Sequence, residues 1–244
     1  MKYIEFHFPG VTGVRAAFAA KDPGARGIDA QGNLSYALAE NPETVRANRL
    51  RLRDELGFAH WHSLRQVHGT RVVFDPKGST LEASATTEGD GLATAEPGLA
   101  LAVKTADCQP VLLTHASGRY VCALHVGWRG NRAGFPASGV AAFCRRYGLD
   151  PAEIMAVRGP SLSPAASEFL NFGMEFGPDF ADYFNPATRT VDLWRLTRDQ
   201  LTQAGLKPSN IFGIDACTYQ NPGFFSYRRD KNTGRQAALI WIAG

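Results

Sequence analysis

Between Leu99 and Val126 the chain carries three apolar strand patterns with little between them. This density puts a packed sheet at the centre of any fold it can adopt. Leu99 to Val103 is a short continuous apolar run, the signature of a buried strand. Val111 to Thr114 and Tyr120 to Val126 follow. The stretch joining them, His115-Ala116-Ser117-Gly118-Arg119, is rich in turn formers and predicts a hairpin. The link from the first strand, Thr105-Ala106-Asp107-Cys108-Gln109-Pro110, has to turn, and Pro110 restricts Gln109 to extended backbone. Gly127 and Gly130 break the last strand ahead of a helix expected near residues 134–147. Cys108 and His125 therefore fall at strand ends, a usual place for side chains that share an active-site rim.

The rest of the chain mixes strands and helices. Asn41-Pro42-Glu43 opens a helix, with Asn as cap, Pro at the first helical position and Glu in the first turn; Gly57 ends it. Val45, Leu52 and Leu56 share one face of this helix, and Arg49 lies on that same face. A guanidinium among inward-facing aliphatics is costly unless it meets an anion or lines a site. Arg49 is thus either paired with a buried carboxylate or an anion ligand at the edge of a pocket. Residues 63–75 alternate like strands, with a bend at His68-Gly69, and residues 13–40 read as loops around short strands. Further strands are expected at Ile154 to Val157, near 210–216 and near 237–242; Asp192 caps a helix that runs to Ala204. Strict βαβ alternation is missing, which favours an α+β fold with a mixed sheet over a doubly wound one. No repeat, low-complexity tract or Pro/Ser-rich linker divides the 244 residues, so a single domain over 1–244 is expected.

Twenty-six Lys and Arg against 23 Asp and Glu give a net charge of +3, and no basic run is interleaved with aromatics. This argues against nucleic acid as a partner, and the local clustering of arginines fits a small anion better than a polymer. No stretch approaches the ~20 apolar residues of a membrane span, and the N-terminus has no apolar signal core, so a cytoplasmic protein that does not meet a membrane is expected. Cys108, Cys122, Cys144 and Cys217 form no CxxC pair and read as free thiols of a reducing compartment.

Two chemical clusters stand out. His68, Cys108 and His125 supply two imidazoles and a thiolate, the ligand set of a catalytic zinc that keeps one position open. Spacing alone also allows a plain turn histidine at 68 and a buried apolar thiol at 108. His60 and His62 read as surface histidines or an accessory pair. The second cluster is Phe224-Phe225-Ser226-Tyr227-Arg228-Arg229-Asp230 followed by Thr233-Gly234-Arg235. Aromatics beside arginines can stack a base and hold a phosphate, or form a surface turn with solvated arginines.

Taken together these segments resemble the laccase-domain family of the YfiH type. The motifs that carry the resemblance run in order from Asn48-Arg49 through Gln66-Val67-His68-Gly69, Asp90-Gly91-Leu92, Thr105-Ala106-Asp107-Cys108 and His125-Val126-Gly127-Trp128-Arg129-Gly130 to the C-terminal cluster. The resemblance implies layered mixed β-sheets flanked by helices and a zinc ion at His68, Cys108 and His125; the oxidase reading that the family's name suggests leaves adventitious copper at the trio as an alternative. It implies phosphorolysis of adenosine, inosine, guanosine and methylthioadenosine, and deamination of adenosine, so that the partners are a purine nucleoside and phosphate. On this reading Arg49 and one of Arg228 or Arg229 hold the phosphate, Tyr227 contributes to the substrate site, and Asp107, beside the ligand Cys108, is the candidate proton shuttle. Two departures are visible. The family's His-Ala-Gly-Trp is His125-Val126-Gly127-Trp128 here, and its Tyr-Glu-Val region reads Ser167-Glu168-Phe169. The same residues fit a cysteine hydrolase with Cys108 as nucleophile. A non-catalytic role in cell-wall precursor quality control is a further alternative. A multicopper cluster of the cupredoxin type needs about ten His ligands, and this chain has six His in all. The sequence sets no oligomeric state.

Overall fold

Two β-sheets lie face to face in the computed structural model, which describes residues 1–22, 24–38 and 41–243. The first is five-stranded, ordered β1 (Tyr3–Phe6), β2 (Val14–Ala19), β13 (Gln236–Ile242), β6 (Leu99–Thr105) and β3 (His60–Ser63); only the β3–β6 pair is parallel. The second is six-stranded, ordered β12 (Ile211–Gly213), β9 (Ile154–Arg158), β7 (Gln109–His115), β8 (Val121–Val126), β5 (Gly91–Thr94) and β4 (Val72–Phe74). It is antiparallel except at its two edges, β12–β9 and β4–β5. A small ribbon pairs β10 (Phe184–Asn185) with β11 (Thr190–Val191). The helices are α1 (Pro42–Leu56), α2 (Trp128–Arg132), α3 (Phe135–Tyr147), α4 (Phe172–Glu175) and α5 (Leu193–Gln203). The fold is α+β with mixed sheets, as the strand pattern implies.

Period-two alternation assigns each strand face to a layer. Leu99, Leu101 and Val103 of β6 meet Leu112 of β7 and Val121 and Ala123 of β8 in the core between the sheets. The residues between them point outward. Ala100 and Ala102 pack under α1 with Leu52, Leu56 and Trp61, while Val111, Leu113, Cys122 and Leu124 pack under α3 with Phe135, Val140 and Phe143. Both faces of the central strands are thus covered, which explains why Leu99 to Val103 reads as an unbroken apolar run. Each fully buried Leu or Val in these layers contributes roughly 1.5–3 kcal/mol.

α1 forms where its signals lie. The Asn41 side chain accepts from the Glu43 and Thr44 amides, and Gly57 closes the helix at φ 74°, a conformation that suits a residue without Cβ. Arg49 is 1% exposed on its inner face, and among the described residues it meets no carboxylate. Nε and Nη2 donate to the Leu34 carbonyl at 2.9 and 2.6 Å, Nη1 donates to the Thr80 carbonyl at 2.7 Å, and the guanidinium stacks on Tyr36 at 4.4 Å. The irregular segments around 34 and 80 leave carbonyls without strand partners, and the guanidinium fork satisfies them.

Three expectations are corrected. The strand ends before Gly127 as expected, but the helix near 134–147 is preceded by another: residues 128–132 form α2, with Gly130 inside it. His62 is buried against the Gly78 carbonyl rather than on the surface, because β3 carries it under the loop that follows. Residues 64–71 are not strand, because the amides of Val67, His68 and Gly69 are taken by the Asp90 carboxylate instead of a ladder.

Candidate metal centre

The chain crosses between the two sheets at one end of the sandwich, and the His-Cys-His trio sits at these crossings. His68 lies in the connection from β3 to β4, and Cys108 lies in the turn from β6 to β7. His125 stands at the end of β8 opposite Pro110, in phase with Val121 and Ala123, so it points between the sheets. One potential ligand atom from each residue lies within 4.8 Å of the others, and Cys108 Sγ is 3.8 Å from His68 Nε2. Tetrahedral zinc with ordinary Zn–S and Zn–N bonds requires an S···N separation of about 3.6 Å. The donor set and the spacing therefore fit a metal ion.

Asp90 organises this geometry. It is fully buried, and its carboxylate accepts from the His68 amide at 2.9 Å, the Gly69 amide at 2.7 Å, the Val67 amide at 3.2 Å and His125 Nδ1 at 2.8 Å. Burial works against its charge, but the His125 imidazole and these amides prevail and hold the carboxyl below the usual range. The bond to Nδ1 leaves His125 Nε2 as the ligand atom, the arrangement by which carboxylates orient metal-binding imidazoles. The same carboxylate secures His68 at φ 60°, a left-handed conformation with a cost for a non-glycine residue. Asp107 stands at φ 97° beside Cys108. Its own carboxylate accepts from Thr218 Oγ1 at 2.7 Å and from the Arg228 amide at 2.6 Å, tying the β6–β7 turn to the C-terminal cluster.

Two more residues fix the trio. The Gln66 carboxamide continues the β3–β6 ladder, donating to the Lys104 carbonyl at 2.7 Å and accepting from the Lys104 amide at 2.8 Å. This places the turn that carries His68. Gly127 lets α2 begin directly against the trio, since a Cβ there would stand 3.0 Å from His68 Cδ2 and 3.1 Å from Cys108 Sγ. Burial pushes the Cys108 thiol up, but the His125 and His68 imidazoles outweigh it and the thiol is lowered overall, as a metal ligand requires.

A cavity of about 740 Å³ opens over the trio. Trp128, Phe169, Leu162 and Leu193 form an apolar wall, and Trp128 packs its ring against Phe169 and Phe176. Lys104, Arg228 and Arg235 bring positive charge to the lining. Arg49 and Tyr227 also line it. Arg229 is turned away: its guanidinium donates to the carbonyls of Thr218 and Tyr219 at 2.8 Å each, and to that of Phe224. Of the two arginines considered for phosphate, only Arg228 reaches the cavity, because the 218–224 loop needs a donor and Arg229 supplies it. Asp90 and Gln66 stand inside motifs visible in the sequence, but nothing in the linear pattern reveals their hydrogen bonds. Lys104 carries no sequence signal beyond being a charge in an apolar strand.

Fold and site together define a two-sheet α+β protein with a His-Cys-His group at the mouth of a mixed apolar and cationic pocket. Residues 15–243 match the family described as multi-copper polyphenol oxidoreductase laccase, and the chain belongs to that family. It is 36% identical over 225 residues to a protein of Escherichia coli named purine nucleoside phosphorylase YfiH, covering 86% of each chain. It is 34% identical over 226 residues to a Xylella fastidiosa protein named purine nucleoside phosphorylase, covering 86% of this chain and 84% of the relative. The crystal structure of YlmD from Geobacillus stearothermophilus superposes with a TM-score of 0.88 at 27% identity, over 100% of this chain and 97% of that one. A Neisseria meningitidis protein of the DUF152 family gives 0.85 at 31% identity over the whole of both chains. Among the described residues no helix is long and apolar enough to cross a membrane.

Proposed function

We propose that this chain is a zinc-dependent purine nucleoside phosphorylase that also deaminates adenosine. The observation that carries the reading is the convergence of His68, Cys108 and His125 on the floor of a cavity with an apolar wall and cationic residues. The purine nucleoside phosphorylase names of the relatives support the same reaction. Zinc, when held by the trio, supplies a Lewis acid with one open coordination position. The chain's own residues do the rest. Trp128 and Phe169 offer ring faces for a purine. Arg235 lines the same cavity and donates through Nη1 to the Thr233 and Gly234 carbonyls at 2.8 and 2.9 Å. Its remaining N–H groups are left for an anionic ligand. In phosphorolysis a phosphate oxygen bonds to C1′ of the ribose as the C1′–N9 bond breaks. The purine leaves with the bonding pair and takes up a proton, giving the free base and ribose 1-phosphate. In deamination water adds at C6 of adenosine and ammonia leaves. Asp107 holds the β6–β7 turn through both its oxygens, so its part here is positioning rather than free proton exchange.

The test combines metal analysis of protein purified without added metal with assays for ribose 1-phosphate and inosine. Stoichiometric zinc with phosphate-dependent cleavage of nucleoside is the expected result. A protein with neither zinc nor turnover would end this reading.

A further inference from the structure

Lys104 is a cation of the pocket to which the reading above gives no task. Lys104, the last outward-facing residue of β6 on the α1 side, lines the cavity half-buried. Its ammonium donates to the Leu64 carbonyl at 3.1 Å, and an ammonium has three donors, so two remain for a ligand. Among the described residues no carboxylate pairs with it. The charge that acts on it is the Arg49 guanidinium, which has the same sign. Burial, reinforced by Arg49, pulls the Lys104 ammonium down to about 7. Two like charges without an anion are a costly arrangement at the wall of a water-accessible cavity. Several other basic residues nearby are engaged, while Arg235 keeps N–H groups beyond Nη1 on the same cavity. Arg65 pairs with Glu88, Arg228 Nη2 donates to the Glu168 carbonyl at 3.0 Å, and Arg49 spends its donors largely on backbone carbonyls.

We propose that Lys104 is the contact residue of an oxyanion subsite, with the buried charge of Arg49 behind it, and that inorganic phosphate docks there. The inference rests on the reading of this pocket as one that uses phosphate. It departs from the expectation that Arg49 and one of Arg228 or Arg229 hold the phosphate: Arg49 acts through its field, and Lys104 donates directly. A tetrahedral oxyanion accepting the two remaining N–H donors supplies the negative charge that the pair lacks.

The test is calorimetric binding of inorganic phosphate, and separately of inosine without phosphate, to the full chain and its Lys104→Met and Lys104→Arg variants. Loss of a charge-assisted hydrogen bond predicts that Lys104→Met binds phosphate about tenfold or more weakly. Lys104→Arg keeps most of the affinity, and inosine binding stays the same in both variants. Unchanged phosphate affinity in Lys104→Met, equal losses for phosphate and inosine, or no saturable phosphate binding by the parent chain would each overturn the proposal. A second measurement needs no variant. Phosphate should slow reductive methylation of Lys104 in the parent chain, and an equal rate with and without phosphate overturns the proposal. Phosphate held through Lys104 without nucleoside cleavage would leave the subsite standing and remove the proposed reaction. Cleavage with phosphate binding indifferent to Lys104 would do the reverse.

Discussion

Replacing Asp90 by Asn tests whether one buried carboxylate builds the metal centre. Asp90 accepts four hydrogen bonds, two at each oxygen: His68 N and His125 Nδ1 at Oδ1, Val67 N and Gly69 N at Oδ2. Asn keeps one acceptor oxygen and turns an NH₂ toward two other donors, whichever way it is flipped. Two charge-assisted bonds are lost and two donors face a donor in a fully buried position. At about 1.5–3 kcal/mol per bond, with part recovered by relaxation, the metal-free protein should lose roughly 3–4 kcal/mol. For a chain of this size that is a fall in Tm of about 6–16 °C. Metal affinity should fall by about 10- to 100-fold, because the His125 tautomer and the left-handed turn at His68 are no longer held. The assay is a competitive chelator titration for affinity, with thermal unfolding in excess chelator for the metal-free state. Affinity unchanged within about twofold would refute the argument that Asp90 orients the ligands. A stability loss without an affinity loss would reduce its role to holding the 67–69 turn.

Cys108, with its lowered thiol, should react readily with iodoacetamide in chelator and slowly once zinc is restored; equal rates in both would favour the free nucleophile of a cysteine hydrolase. Arg229→Ala should cost about 1–3 kcal/mol in urea unfolding with little change in nucleoside KM, since its guanidinium serves carbonyls of the 218–224 loop. Arg228→Ala should show the opposite pattern, and a KM change confined to Arg229→Ala would contradict the placement of the two side chains. The Lys104 ammonium, pulled from 10.5 down to about 7, makes stability rise with pH across that window, because the unfolded chain holds a proton that the native chain releases. Below about 7 both states are protonated and the burial penalty is fully in place. In buffers free of phosphate, Lys104→Met should therefore gain on the parent chain by roughly 1–2 kcal/mol more near pH 6 than near pH 9, after allowance for its partial exposure. A stability difference independent of pH would place the Lys104 pKa outside this range.

The legible parts of this fold are those where local chemistry and tertiary packing agree. The Asn41 cap, Pro42 and Gly57 bound α1 within its own sequence, and the Asp192 carboxylate accepts from the Arg195 amide where the pattern begins α5. Leu99 to Val103 and the hairpin of β7 and β8 are apolar enough that burial on both faces could be read directly. The illegible parts depend on partners remote in the chain. Nothing local to Val67, His68 and Gly69 shows that a carboxylate more than twenty residues away takes their amides, so a stretch with strand-like alternation becomes a loop. Arg49 illustrates the same limit: its inward position is plain from the helix period, but its partners are carbonyls of irregular segments that carry no pattern. The metal trio falls between these cases. Residue type and strand-end position single out Cys108 and His125, while their meeting with His68 depends on two sheet-to-sheet crossings at the same end of the sandwich. Those crossings follow from the strand order, which places β3 beside β6 in one sheet and β4 in the other. A change that altered this pairing would separate the ligands without touching any of them. Shortening the β3–β4 connection by deleting Gly69 should therefore abolish metal binding in a chain that still folds, whereas retained stoichiometric metal would show that the site does not depend on that crossing.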